Sequence, residues 1–330
     1  MIITKTPFRM SFFGGGTDYK EFYELNGGSV ISSTFDKYCY VNVRHLPPFF
    51  DYKTHLTYSK QEYVNNYSEI KHPAIREAMK YHDMHEIRLV YDADLPAQSG
   101  LGTSSSFAVG MLSAFHALKG EYVDQHRLAE EAIYLERVLC SENGGVQDQI
   151  AAAYGGFNRI YFGREGFRVV PIVISAERKT ELNRNLMLFF TGFTRLSSDI
   201  AAEQRRAVTD KTSELFEMLK LVDEAEEILT SNASLSEFGN LLDYTWQLKR
   251  GMTSKISNDC IDQLYLKACQ NGAIGGKLLG AGGGGFLLLY VPLDLQKRVK
   301  NALNNLLYVP FEFENTGSQV IHYTPEEWEA

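Results

Sequence analysis

Between Leu95 and Ser106 the chain reads LPAQSGLGTSSS, in which Gly100 and Gly102 are followed at once by four hydroxyl side chains, Thr103, Ser104, Ser105 and Ser106. An apolar strand with acidic residues (LVYDAD) precedes this loop, and an apolar helical run (FAVGMLSAFHAL) follows it. Glycines let a ligand approach the backbone, and hydroxyls beside free N–H groups at a helix start make an anion site. A cap needs one such hydroxyl. Four behind two glycines point instead to phosphate binding. The pattern is not G-x-x-x-x-G-K-[ST], because no lysine precedes the hydroxyls.

Other stretches carry candidate chemistry. PFRMSFFGGGTDY, Pro7 to Tyr19, sets Gly14, Gly15 and Gly16 before Thr17 and Asp18. A tight turn accounts for one or two glycines but not for the carboxylate that follows them. KLLGAGGGGFLLLY, Lys277 to Tyr290, formally contains G-x-G-x-x-G at Gly280, Gly282 and Gly285. A strand rather than a helix follows it, so it reads as a hairpin able to close over a ligand, not as a dinucleotide fold. In ENGGVQDQIAAAYGG, Glu142 to Gly156, Asp148 opens a helical run, where a carboxylate ordinarily serves the helix dipole. Glu136, on the preceding YLERVL helix, reads by default as a solvated surface residue.

The 330 residues carry a net charge of -8, so a bound anion must be held by local donors, and nucleic acid and membrane surfaces are excluded as partners. Cys39, Cys140, Cys260 and Cys269 show no CxxC spacing and read as small core residues. His82 and His85 have no third ligand spaced with them. The longest apolar run, Phe286 to Val291, is far shorter than the roughly 20 residues of a membrane span. The start has no cleavage pattern, and a soluble cytoplasmic protein is expected.

Periodicity predicts strands at Ile2–Met10, Val30–Arg44, Ile87–Tyr91, Phe157–Phe162 and Phe167–Ile174, with helices at Ser104–Leu118 and Arg127–Leu139. A second lobe is expected to hold the strand Leu186–Phe190, long helices over Ser198–Ser231 and Leu235–Arg250, a shorter helix at Asp259–Cys269, and strands Gly275–Leu279 and Gly285–Val291. The charged SAERKTELNRN suggests a boundary, giving units 1–178 and 179–330.

Taken in order, P-x-R-x-x-x-x-G-G-G-T-D, G-L-G-T-S-S and K-L-x-G-A-G-G-G-G resemble the motifs of the GHMP small-molecule kinases over essentially the whole chain. The resemblance implies a two-lobed α+β fold, with an N-terminal lobe like ribosomal protein S5 domain 2 and a C-terminal ferredoxin-like α/β lobe. It also implies ATP and Mg²⁺. Ala97, Gln98, Ser99, Gly100, Leu101, Gly102, Thr103, Ser104, Ser105 and Ser106 match the loop that wraps the ATP phosphates, and Ser104 and Glu136 match the Mg²⁺ ligands. Asp148, in a V-Q-D-Q similar to the M-D-Q of galactokinase, matches the carboxylate beside the acceptor hydroxyl, with Arg9 as its basic neighbour. Asp18 matches a sugar-binding aspartate, and the third motif, through Gly282 and Gly283, matches the loop beside the sugar.

Within the family the chain looks most like the D-glycero-D-manno-heptose 7-phosphate kinases, whose first motif also reads G-G-G-T-D. Where galactokinase has large polar residues this chain has Gly15 and Gly16, which with Thr17 and Asp18 would admit a longer sugar. The resemblance implies phosphorylation of an anomeric hydroxyl. For the 7-phosphate, GFTRLSS offers Arg195 with Thr194, Ser197 and Ser198 at a helix start. The alternatives are an L-fucose or other anomeric sugar kinase, and a sugar-binding regulator without turnover. The complete set Asp148, Glu136, Arg9 and Ser104 favours an enzyme.

Overall fold

The computed structural model describes residues 1–192, 197–253 and 255–325. Its first half is built on β1 (Ile2–Phe13), β2 (Gly28–His45), β3 (Thr54–Thr57), β4 (Gln61–Val64), β5 (Ile87–Ala93), β6 (Phe157–Gly163) and β7 (Gly166–Pro171). β2, rich in β-branched and aromatic residues, pairs with β1 along its length, with β6 through its first half and with β5 through its second. The register of β1 on β2 shifts at Pro7/Phe8, where proline offers no N–H to the ladder, and again at Ser11/Phe13. Arg9 and Ser11 lie on the stretch between these irregularities.

Helix Thr103–Leu118 buries 14 of its 16 residues, which marks it as the central helix of this lobe. It lies close to β1, since a Cβ on Gly110 would stand 2.8 Å from Thr6 Oγ1. The Thr4 hydroxyl donates to the Gly110 carbonyl at 2.9 Å. Helices Gln125–Tyr134 and Gln147–Tyr154 share its core cluster. The expected helix over Arg127–Leu139 instead ends in a π turn at Leu135–Leu139.

The second sheet runs β11 (Leu307–Val309), β8 (Leu186–Phe190), β10 (Phe286–Tyr290), β9 (Gly275–Leu278), all antiparallel. Helices Ser236–Arg250 and Asp259–Gln270 pack on it with apolar faces at three- and four-residue spacing, while helix Thr212–Thr230 lies between Ser236–Arg250 and the first-sheet strands β1 and β2. The single long helix expected over Ser198–Ser231 is broken at Lys211 into Ser197–Asp210 and Thr212–Thr230.

Two further expectations change. The charged boundary stretch is a helix, Ala176–Asn185, capped by the Ser175 hydroxyl, so the division at 178/179 falls inside an element. Past the second sheet, β12 (Phe313–Glu314) pairs with β2 and β13 (Gln319–Tyr323) pairs with β1. Residues 179–330 therefore do not stay within one lobe. The cysteines are free, Cys39 is buried, and Cys260, expected in the core, is exposed. No helix among the described residues is long and apolar enough to cross a membrane.

Folding also assembles what the sequence kept apart. His82 sits against His116 and Glu131, with ligand-type atoms within 4.8 Å of one another. The His116 ring already bonds Glu121 (3.1 Å) and Glu131 (2.6 Å). Burial pushes His82 down to about 4.

Candidate active site

The three glycine-rich motifs and the two acidic helices converge on one cavity between the lobes. Arg9, 4% exposed, donates through Nε and Nη2 to the two Asp148 oxygens at 2.7 Å each, and through Nη1 to the Gly100 carbonyl at 2.8 Å. A charged fork on a planar carboxylate fixes both partners, and the third bond ties them to the phosphate-type loop. That loop crosses directly above the pair: a Cβ on Gly102 would meet Arg9 Cγ at 3.2 Å and Asp148 Cγ at 3.4 Å. With φ +72, Gly102 opens helix Thr103–Leu118, whose first N–H groups face the cavity through Thr103, Ser104 and Ser105.

Glu136, expected by default on the surface, is 1% exposed. It accepts from Ser104 Oγ at 3.1 Å, from Ser105 Oγ at 2.8 Å and from Gln149 Nε2. Its place on the π turn aims it inward at the loop's hydroxyls. Asp18, 2% exposed, accepts from Gly16 N–H (3.0 Å), Gln147 Nε2 (2.9 Å) and Gln147 N–H (3.3 Å). Burial pushes its carboxyl above the ordinary range, against those bonds and with the charge of Asp148. A Cβ on Gly145 would stand 1.8 Å from Asp18 Oδ2, so Gly145 exists to admit that carboxylate. Burial and Glu136 push Glu142, also at the cavity wall, up to about 7.

The first motif divides its labour. A Cβ on Gly14 would strike the Ser29 carbonyl oxygen at 1.9 Å, whereas one on Gly15 would find nothing nearer than 3.8 Å. Gly14 is needed for packing; Gly15 leaves the cavity empty of side chain. Thr17, expected at the substrate, is fully buried, its hydroxyl 2.8 and 2.9 Å from the Gly14 and Ser29 carbonyls, and it secures the turn instead. In the phosphate-type loop Ser99 and Leu101 are fully buried, Ser106 donates to the Pro7 carbonyl at 2.9 Å, and Ala97 does not line the cavity. The third motif reaches the cavity through Gly280 and Ala281 rather than Gly282 and Gly283, since Gly283 N–H is spent on the Ile256 carbonyl at 2.9 Å. Arg195 and Thr194 lie outside the described residues, as do the side chains of Ser197 and Ser198.

Sequence reasoning missed two cavity lysines. Lys249 donates to the Gly280 carbonyl, and Lys277 donates to the Phe12 carbonyl at 2.7 Å. Lys249 was legible in principle: Phe238, Leu242, Thr245 and Lys249 follow helical spacing, which puts the lysine on the buried face. Burial, then the Arg9 charge, lowers it to about 8, against the pull of Asp18 and Asp148. It therefore carries its proton at neutral pH and loses it as pH rises through about 8.

A testable result follows for phosphoryl transfer at this site. Lys249→Met is expected to lower kcat/KM by about 10²-fold at pH 7. Wild-type activity should fall above pH 8, and Lys249→Arg should carry that alkaline limb upward. A limb unmoved by Lys249→Arg assigns it to another group.

The family profile described as GHMP kinases N terminal domain matches residues 67–156, and that described as GHMP kinases C terminal matches residues 218–309. The chain belongs to the GHMP kinase family. This kinase is 28% identical over 306 residues to D-glycero-alpha-D-manno-heptose 7-phosphate kinase of Campylobacter jejuni, covering 88% of its own length and 89% of the relative's. It is 25% identical over 338 residues to L-fucokinase/L-fucose-1-P guanylyltransferase of Bacteroides fragilis, covering 90% of this chain and 35% of that one. In three dimensions it resembles a D-glycero-D-manno-heptose 1-phosphate kinase from Bacteroides thetaiotaomicron, with a TM-score of 0.72, 23% identity and coverage of 98% and 99%. Lactococcus lactis galactokinase shares the fold, with a TM-score of 0.71, 16% identity and coverage of 96% and 94%. The two-lobed GHMP kinase fold expected from the motifs is thus present, and ATP is the family's phosphoryl donor.

Proposed function

We propose that this sugar kinase transfers the γ-phosphoryl group of ATP to the anomeric C1 hydroxyl of D-glycero-D-manno-heptose 7-phosphate, giving the 1,7-bisphosphate in the cytoplasm. The observation that carries the reading is the doubly bonded Arg9–Asp148 pair under Gly102, with Asp18 and the open face of Gly15 in the same cavity. The relative of matching length, whose name specifies heptose 7-phosphate, supports the sugar.

The residues act as follows. Ser104, Ser105 and the free N–H groups of the helix start receive the donor phosphates. Asp18, held rigid by Gly16 and Gln147, accepts from a sugar hydroxyl. Asp148, oriented by Arg9, accepts the C1 hydroxyl proton as that oxygen bonds to the γ-phosphorus and the bond to the β-phosphate oxygen breaks. The Ser104 and Glu136 oxygens, 3.1 Å apart, suit a hard divalent cation, so these two would hold Mg²⁺. Bound there, Mg²⁺ supplies neutralisation of phosphate charge. Arg9 and Lys249 add fixed positive charge at the same place.

The fucokinase relatives favour a second reading, an L-fucose or other anomeric sugar kinase. A coupled ADP-release assay with ATP and Mg²⁺ over heptose 7-phosphate, free heptose, mannose, L-fucose and galactose decides between them. Turnover confined to heptose 7-phosphate with phosphate appearing on C1 is the expected result. Preference for L-fucose overturns the sugar, and silence on every sugar overturns the enzyme assignment for these substrates.

A further inference from the structure

A sugar carrying a phosphate at the end remote from C1 brings extra negative charge into a cavity already lined by Asp18, Glu136, Glu142 and Asp148. The cations on the same walls are committed elsewhere. Arg9 holds Asp148 and Gly100, Lys249 holds Gly280, Lys277 holds Phe12, and Arg137 donates to the Gly145 and Glu142 carbonyls. The remote phosphate therefore needs donors of its own, since an unpaired buried charge is costly.

Such donors stand at the rim. A side groove is lined by Glu21, Asn143, Ala202, Arg205 and Arg206, and Asn143 also lines the main cavity. Helix Ser197–Asp210 makes the two continuous. Ala201 and Val208, seven residues apart, face the main cavity, and Arg205 lies on that face between them, four residues after Ala201. Ala202 and Arg206, also four apart, run along the groove. Arg205 donates through Nε to Glu21 at 2.5 Å and through Nη1 to Asn143 Oδ1 at 3.2 Å, which orients its guanidinium before any ligand arrives. Neither Arg205 Nη2 nor any side-chain atom of Arg206 has a partner among the described residues.

We propose that Arg205 and Arg206 form a phosphomonoester subsite that anchors the phosphate on the sugar's distal carbon. The proposal rests on the sugar-phosphate reading above. A guanidinium presents paired donors that match two phosphate oxygens, and one already braced by Glu21 and Asn143 loses little freedom on binding. The subsite lies along the wall from Asn143, whereas the donor phosphates belong at Ser104, so it selects the acceptor and not the nucleotide. In a chain of net charge -8 it supplies a local positive patch.

The test uses the full chain with Arg206→Gln and the double variant Arg205→Gln/Arg206→Gln, assayed on heptose 7-phosphate, on the same heptose without phosphate, and on ATP. The double variant is expected to raise KM for heptose 7-phosphate about 30-fold, leaving KM for ATP and kcat/KM for the unphosphorylated sugar within about threefold. Arg206→Gln should show a smaller rise in the same direction. If wild type prefers the 7-phosphate and the double variant keeps its KM, the subsite is overturned and the sugar-phosphate reading stands. If wild type shows no preference for the phosphorylated sugar, both are overturned together. A parallel rise for both sugars and ATP also overturns the subsite, because it marks a structural role. Arg205 is about half exposed and Arg206 exposed, so the variants retain the core.

Discussion

Asp148→Asn is expected to lower kcat about 10³-fold, the scale of a lost general base, while KM for ATP changes less than about threefold. The geometry makes the substitution clean. Asparagine has the same outline, so the cleft beneath Gly102, where a Cβ added to the glycine would stand 3.4 Å from Asp148, keeps its shape. What changes is the proton acceptor and the charge facing Arg9, which donates two bonds of 2.7 Å to that carboxylate. The phosphate-type loop remains held by the third Arg9 bond, to the Gly100 carbonyl. Steady-state rates at saturating sugar and ATP check the result. A loss below about tenfold would show that Asp148 only orients the hydroxyl, because general-base catalysis contributes at least about 10²-fold.

Gly100→Ala is expected to cost about 3 kcal/mol or more of stability and to weaken ATP binding, through overpacking and backbone strain in one position. A Cβ there would stand 2.4 Å from the Leu279 carbonyl oxygen and 2.9 Å from its carbon, and φ is +82. The neighbour cannot retreat. Gly280 packs against Gly100 so closely that its own Cβ would lie 2.3 Å from Gly100 Cα, and a Cβ on Gly285 would lie 2.2 Å from the Ser99 carbonyl oxygen. Thermal unfolding should show the midpoint falling by about 6 °C or more. An unchanged midpoint would mean that the loops separate at no cost. Gly15, where a Cβ would meet nothing nearer than Ser11 Oγ at 3.8 Å, marks the contrast between a glycine kept for packing and one kept for room.

The contrast explains what the sequence could and could not disclose. The motifs located the loops, because each depends on residue type at short spacing, whereas the pairing of Arg9 with Asp148 and of Ser104 with Glu136, 139 and 32 residues apart, came only from the resemblance to the family. The motifs did not separate side chains that face the cavity from those that hold the loop, since the fully buried Thr17, Ser99 and Ser106 look the same in a string as the cavity-lining Thr103, Ser104 and Ser105. The buried position of Lys249 was legible from helical spacing, but what Lys249 and Lys277 do at the cavity was hidden for another reason. Their role depends on elements far apart in the chain meeting at Gly280 and Phe12. The strands at Phe313–Glu314 and Gln319–Tyr323 were missed similarly, because short edge strands take their stability from partners in β2 and β1, not from their own pattern. The break at Lys211 falls where helical periodicity runs on, so the pattern concealed two helices as one.

The return of β12 and β13 to the first sheet makes the second lobe an insertion, leaving the parent sheet at β7 and re-entering it at Phe313. Its two attachments do not leave it a separate body, because Phe8, Phe12 and Ile31 of the first sheet share one buried cluster with Val222, Phe238 and Leu288 of the inserted lobe. The glycine contact of Gly100 with Gly280 lies along the same seam, and their neighbours Leu101 and Leu279 belong to that cluster, so the packing that joins the lobes also seats the phosphate-type loop on the third motif. The shape of the cavity and the alignment of the nucleotide loop thus rest on one shared core in this kinase.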